Sequence, residues 1–412
     1  MKTASVVSIG NELLSGQTVD TNLAYLGKSL AALGLGVVSS CTVGDDVQLI
    51  AEAIGQAAAN ADIILITGGL GPTDDDITRQ GLAEFMGVEL KFNAKLFDEI
   101  EQFFTERGYE MADKNKVQAY LPAGAIALKN KLGTAPGIMA RYNGKLLFSM
   151  PGVPSEMKAM FTESIAPQLE GLGSDRIVVA GKLKCIGAGE STIAEMLGAL
   201  MERGRNPLIN CTVSSSIITL HIIATAADRD AGLSMIETDR RQLCEILGDL
   251  VFGTDDDTLA AVIGAELTRQ GKTVATAESC TGGLISKMLT DTPGASQYFT
   301  HGWVTYNNDA KVSQLGVEQT LLDQYGAVSE PVAAAMAEGA REKSGADFAI
   351  AVTGIAGPDG GTEEKPVGSV YIAIAKDGHC DVQKRVFAHA RGAMRLRTAI
   401  TALNMLRHSM SS

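Results

Sequence analysis

The run "ADIILITGG" at residues 61–69 constrains the fold more than any other stretch. Near-continuous aliphatic and β-branched residues without polar alternation suit a strand buried on both faces, which is how central strands of parallel sheets sit between helical layers. The flanking sequence agrees. "ASVVSIG" reads as a strand stopped by glycine, "NLAYLGKSLAALG" as a helix, "GVVSSCTVGDD" as a strand and "VQLIAEAIGQAAAN" as a helix. This alternation predicts a doubly wound α/β domain over residues 1–170, with ligand loops at the carboxyl ends of its strands.

Residues 173–252 change character. "RIVVAGKLKCIG", "ESTIAEMLGALMERG", "SSIITLHIIATAAD" and "RRQLCEILGDL" suggest a small α+β linker or dimerisation module, with the acidic "GTDDDT" at 253–258 as the next joint. From 258 to 412 the alternation resumes, which predicts a second α/β domain of three layers. A chain of 412 residues exceeds what one core usually serves, so several domains are expected.

With 45% hydrophobic and 20% charged residues the composition is that of a globular protein. The net charge of -13 argues against direct nucleic-acid binding and against anchoring to anionic lipid, so a phosphate-bearing substrate must be met by local donors. No stretch approaches ~18 uninterrupted apolar residues, and "MKTASVVSIGNELLSG" lacks a signal-peptide pattern; a cytoplasmic protein without membrane contact is expected. Six cysteines without C-x-x-C spacing indicate neither zinc nor a disulfide framework. Histidine is absent from the first 220 residues, so a metal there would take oxygen ligands, as magnesium does.

"ATAESCTGG" at 275–283 sets Ser279 and Cys280 side by side where a strand turns into a helix. The amides of Cys280, Thr281, Gly282 and Gly283 are expected to be unpaired there, able to hold an oxyanion or phosphate. A serine hydroxyl needs a base, and where no histidine is near, lysine is the usual substitute, with tyrosine able to relay the proton. "GWVTYNNDAK" offers both, Tyr306 at a strand end and Lys311 in the first turn of a helix, where the dipole and partial desolvation lower a lysine pKa. His301 reads as structural. The glycine-rich loop after "AVTG" could supply backbone donors at Thr353, Gly354, Gly357, Gly360 and Gly361, or serve only as a tight turn.

In the first domain "TGGLGPTDDD" follows its strand directly, placing Gly68, Gly69, Gly71 and Thr73 in a generic anion cradle. Asp74, Asp75 and Asp76 admit two readings, as helix caps or as ligands of a divalent cation beside a diphosphate. "GNELLSG" (Asn11, Glu12), "GTAPG" (Gly133, Thr134, Gly137) and "MPGVPSEM" (Pro151, Gly152, Glu156) are strand-end loops that can converge on the same place.

Two resemblances follow. "AESCTGG", "GWVTYNNDAK" and "TGIAGPDGGTEEKPVGSVYIA" resemble the C-terminal domain of the CinA family (competence/damage-inducible protein A), whose stand-alone form is nicotinamide mononucleotide deamidase. The resemblance implies hydrolysis of the carboxamide of nicotinamide mononucleotide without a cofactor, with Ser279 as nucleophile assisted by Tyr306 and Lys311. It leaves Cys280 as a packing neighbour. Gly282 and Gly283 fall in the nucleophile motif, and Arg391 in "HARGAMR" falls where the family tends to have an arginine, although Ala390 replaces the acidic residue usual before it.

The four N-terminal motifs resemble the molybdopterin-binding fold of molybdenum-cofactor biosynthesis proteins and of CinA N-terminal domains; "KNKLGTAPG" departs in its approach to the loop. They imply a domain that binds a pterin or nucleotide diphosphate, in some members hydrolysing ADP-ribose with a divalent cation (magnesium or cobalt), with or without potassium. Asp75 and Asp76 would take the metal, with Asn11, Glu12 and Glu156 around the diphosphate. Small-molecule substrates and a homodimer are expected. An alternative from another class is a non-catalytic carrier or scaffold linked to competence or DNA damage.

Overall fold

All five residues of Ile63–Thr67 are buried, as a strand covered on both faces must be. The computed structural model describes residues 2–387 and 390–411, without the side chain of Ser411. The chain divides into two units, Met1–Val179 with Ala224–Met235, and Ala180–Ile223 with Ile236–Ser412.

The N-terminal strands are β1 (Ala4–Ile9), β2 (Val37–Val43), β3 (Ile63–Thr67), β4 (Leu90–Phe92), β5 (Tyr120–Pro122), β6 (Ile126–Leu128), β7 (Gly137–Tyr142) and β8 (Lys145–Met150). Six form one sheet in the order β2-β1-β3-β8-β7-β6, and β4 and β5 form a separate ribbon. β1, β2, β3 and β8 are parallel. The helices Val47–Asn60, Thr78–Met86 and Ala94–Thr105 pack on one face, and Thr21–Ala32 and Pro154–Met160 on the other. The doubly wound expectation therefore holds, with one addition. Asn143 (φ 45) and Gly144 (φ 75) turn β7 back antiparallel to β8. Because β7 runs the other way, its leading loop "GTAPG" lies at the same end of the sheet as the ends of β1, β3 and β8.

The middle sheet has the order β10-β11-β9-β12, from β9 (Ile177–Ile186), β10 (Leu208–Ser214), β11 (Ile217–Ala226) and β12 (Val251–Thr254). β10 and β11 form a hairpin whose turn residues Ser215 and Ser216 both have positive φ. Such a turn normally carries Asn-Gly, so a Ser-Ser pair conceals it from the sequence.

The C-terminal sheet has the order β14-β13-β15-β16-β17, from β13 (Val274–Glu278), β14 (Phe299–Val304), β15 (Phe348–Gly354), β16 (Ser369–Lys376) and β17 (His379–Val386). β13 is parallel to β14 and β15, and β16 and β17 continue antiparallel. Helix Glu330–Ser344 covers one face; helices Leu259–Gln270, Leu284–Thr290 and Arg391–Ser411 cover the other, giving three layers. Among the described residues no helix is long and apolar enough to cross a membrane.

Helix Glu330–Ser344 crosses the π-helical turn Lys311–Leu315 at Gly339, where an added Cβ would lie 2.0 Å from the Leu315 carbonyl oxygen. The backbones touch, so the helix can accept no side chain there. Gly339→Ala is expected to lower unfolding free energy by about 1–3 kcal/mol in a urea titration; an unchanged midpoint would contradict this crossing.

Candidate active site and N-terminal cavity

The C-terminal site begins with how strand β13 ends. Glu278, its last residue, is fully buried, and its carboxylate accepts from the amides of Ile285 and Ser286 and from the Ser286 hydroxyl. Those groups belong to the first turn of the helix Leu284–Thr290, where a carboxylate is favoured by the unpaired amides and the dipole. Residues 279–283 must therefore arch over the carboxylate. Gly282 (φ 60) and Gly283 (φ 89) supply the left-handed backbone that the arch needs.

This corrects one expectation. The helix begins at Leu284, not at the nucleophile motif, and the Gly282 amide closes onto the Ser279 carbonyl at 3.1 Å, so it is not a free donor. The Ser279 amide continues the sheet to the Val352 carbonyl. Among the described residues, the amides of Thr281 and Gly283 take no partner and remain as anion donors. On the opposite side of the arch, Arg395 donates to the carbonyls of Cys280 and Thr281, 3.1 and 2.5 Å away.

Ser279 is 8% exposed and Lys311 1% exposed. Lys311 Nζ lies 3.3 Å from Ser279 Oγ, and it donates to the carbonyls of Thr305 (2.8 Å), Asn307 (3.4 Å) and Tyr306 (3.5 Å). Three carbonyls favour an ammonium, while burial disfavours it. Burial wins, and the Lys311 pKa lies below the ordinary lysine value of 10.5. A neutral amine has two N–H donors and one lone pair. In that form two of the three carbonyls can keep a donor, and the lone pair can turn to Ser279 Oγ, 3.3 Å away, to receive its proton.

Cys280 is buried at 4% exposure, and desolvation pushes its thiol up to about 12, which leaves it without thiolate character. Tyr306 departs from its expected role as it stands. It lies beyond the end of β14, is 57% exposed, and its hydroxyl accepts from Arg391 at 2.8 Å, while only its backbone carbonyl faces Lys311. Arg391 also donates to the Gly357 carbonyl at 2.7 Å, so one guanidinium ties Tyr306 to the glycine-rich loop. Within that loop Thr353 is buried, its hydroxyl on the Ala327 carbonyl, and Gly354, against Cys280, leads into Gly357, Gly360 and Gly361. His389 lies outside the described residues. His301 stacks on Trp303 with ring centroids 5.2 Å apart, in keeping with a structural role.

In the N-terminal unit a cavity of about 460 Å³ gathers Glu12, Gly68, Gly69, Gly71, Asp75, Asp76, Thr134, Pro151, Gly152 and Glu156. Asp45 and Gln118, which sequence reasoning passed over, also line it. Gly68 (φ 107) passes so close to β1 that an added Cβ would lie 2.1 Å from the Ile9 carbonyl oxygen. Arg79, 2% exposed, donates to the carbonyls of Leu70 and Gly71 at 2.7 Å each and fixes this turn from within.

Five candidates fall outside this cavity. Asn11 turns its side chain toward Gly44, and exposed Asp74 pairs with Lys114. Gly137 packs inside β7 against Met160, and Gly133 lines a neighbouring cleft beside Lys131 and Arg107. Thr73 stays within its loop, donating to Asp76 through both amide and hydroxyl. Asp76 is thus a loop-internal acceptor. The oxygen donors around the cavity suit a hard cation, but among the described residues no group of three or more acidic, histidine or cysteine side chains could hold one. A divalent ion would meet one or two of these carboxylates and complete its sphere with water and ligand oxygens.

The depressed Lys311 pKa has a consequence for stability. Below its folded pKa the buried ammonium costs stability, and the cost vanishes as pH rises toward the ordinary lysine value, where neither folded nor unfolded state carries the charge. Lys311→Met is therefore expected to raise the melting temperature relative to the native chain near neutral pH, with the gain shrinking by about pH 11. A difference independent of pH would contradict a depressed lysine.

Three family matches cover the chain: "Probable molybdopterin binding domain" at residues 5–171, "Damage-inducible protein CinA KH domain" at 181–253, and "CinA C-terminal domain" at 256–410. A protein of Symbiobacterium thermophilum is 42% identical over 416 residues, covering 98% of each chain, and one of Caldicellulosiruptor saccharolyticus is 41% identical over 407 residues, covering 99% of each. Both carry the name competence-damage inducible protein. The crystal structure of a competence/damage inducible protein from Agrobacterium tumefaciens is 47% identical over 37% of this chain and 94% of its own, with a TM-score of 0.37. The chain belongs to the CinA family of competence- and damage-inducible proteins.

Proposed function

We propose that the C-terminal domain hydrolyses the carboxamide of nicotinamide mononucleotide to nicotinate mononucleotide and ammonia. The observation that carries this reading is the buried Lys311 amine 3.3 Å from the Ser279 hydroxyl, a nucleophile and base pair that needs neither histidine nor metal. Ser279 Oγ attacks the carboxamide carbon as its proton passes to Lys311 Nζ. The amides of Thr281 and Gly283 are the donors available for the oxyanion. Lys311 then returns the proton to the departing nitrogen, which leaves as ammonia. Water, deprotonated by the same amine, releases the acyl group from Ser279 and restores the hydroxyl.

The substrate phosphate falls to Arg391 and the glycine-rich loop. Arg391 is engaged with Tyr306 and Gly357, so a phosphate that draws the guanidinium away frees the Tyr306 hydroxyl to turn toward the reacting groups.

The N-terminal cavity, in the same reading, takes a nucleotide diphosphate such as ADP-ribose with a divalent cation. Asp75 and Asp76 line the cavity and would meet the cation, Asp76 through the carboxylate oxygen that Thr73 does not use, and magnesium or cobalt would neutralise the diphosphate there. Both ligands are fragments of a pyridine dinucleotide, which gives the fusion a chemical rationale.

The full-length chain, incubated with nicotinamide mononucleotide, is expected to release ammonia. Ser279→Ala and Lys311→Ala should each reduce the rate by roughly 10³-fold or more, while Cys280→Ala keeps most of it. Equal release from the native chain and Ser279→Ala would reject the mechanism, and release from none would favour a binding or scaffold role.

A further inference from the structure

The N-terminal cavity contains a side chain to which neither motif nor family resemblance gives a role. Gln118 is fully buried and lines the cavity beside Gly71, Asp75, Asp76 and Thr134. Its Oε1 accepts from Asn115 Nδ2 at 3.1 Å, while its Nε2 has no partner. Buried amide groups are nearly always satisfied, because water has been given up and nothing replaces it otherwise. An unsatisfied donor on a side chain that lines a cavity is therefore an open valence for a ligand seated there.

The charges around it narrow the choice. Glu12, Asp45, Asp75, Asp76 and Glu156 bring five carboxylates to the wall, and no lysine, arginine or histidine is among the lining residues. A bare anion would be repelled, but a phosphate chelated to a divalent cation arrives with its own positive charge for the carboxylates. Its remaining oxygens then need neutral donors, because a cationic side chain here would be captured by the carboxylates. Among the lining residues Gln118 carries the one side-chain N–H.

We propose that Gln118 reads the ligand of this cavity, its Nε2–H donating to a phosphate oxygen of a nucleotide diphosphate that enters as its divalent-cation complex. The inference rests on the nucleotide-diphosphate reading of the N-terminal domain and not on the chemistry at Ser279.

The test is calorimetric titration of the full-length chain with ADP-ribose, with and without magnesium, for the native protein, Gln118→Met and Gln118→Glu. Circular dichroism at the titration temperature establishes that each variant is folded. Magnesium should strengthen binding to the native chain. Gln118→Met should weaken the magnesium complex about tenfold, the share of one lost hydrogen bond. Gln118→Glu keeps the acceptor that Asn115 uses, so it tests the donor even if the methionine variant fails to fold. Its added carboxylate should weaken binding further. Affinities equal to that of the native chain would overturn the role of Gln118. No binding by the native chain, or binding indifferent to magnesium, would overturn the proposed ligand form with it. Ammonia release from nicotinamide mononucleotide, measured on the same preparations, should be unchanged by either variant, which separates this proposal from the C-terminal reading.

Discussion

A lysine side chain buried to 1% exposure next to a serine is the constraint on which the C-terminal half depends. Taking an ammonium out of water is costly, and three carbonyls of the segment 305–307 offset only part of that cost. The net effect lowers the Lys311 pKa below its ordinary value, toward the neutral amine that a serine hydroxyl needs beside it. Stability and reactivity are thus opposed at one atom, and the surrounding architecture holds it in place. The π-helical turn that begins at Lys311 is pressed by Gly339 of a fifteen-residue helix, and strand β13 carries Ser279 to the same point.

The arch after β13 is held from both ends by charge. Glu278 binds the first turn of the following helix from below, and Arg395, more than a hundred residues later, gathers the carbonyls of Cys280 and Thr281 from outside. With carbonyls drawn one way, the amides of Thr281 and Gly283 are left unspent. The N-terminal glycine turn is arranged similarly, with the buried Arg79 guanidinium on the carbonyls of Leu70 and Gly71. In both domains the anion-facing backbone is set by an arginine bound to the opposite side of the chain, and neither arginine need touch a ligand.

The sequence is informative where local pattern determines structure. The all-buried "IILIT" strand and the three-layer alternation follow from periodicity, while the meeting of "ESC" with "NNDAK" is implied by the family resemblance. The Asn143-Gly144 turn is likewise readable, and it accounts for the antiparallel β7. Illegible features depend on distant partners. Glu278, Arg79 and Gln118 look like ordinary surface or helix residues until tertiary packing buries them, and half-buried Arg395 does so until its carbonyl partners are seen. Asp76 in "TDDD" gives no sign that its loop folds so that Thr73 takes one of its two carboxylate oxygens. Tyr306 is in the right segment, but an arginine 85 residues later holds its hydroxyl elsewhere.

In the proposed mechanism Ser279, and no other side chain, becomes acylated during carboxamide hydrolysis. Rapid acid quenching of the full-length chain during turnover of nicotinamide mononucleotide, followed by peptide mass mapping, tests it directly. A nicotinate mononucleotide acyl adduct is expected on the peptide bearing Ser279, located on the serine and absent in Ser279→Ala. An adduct on Cys280, or ammonia release that persists in Ser279→Ala with no adduct at any time, would contradict it.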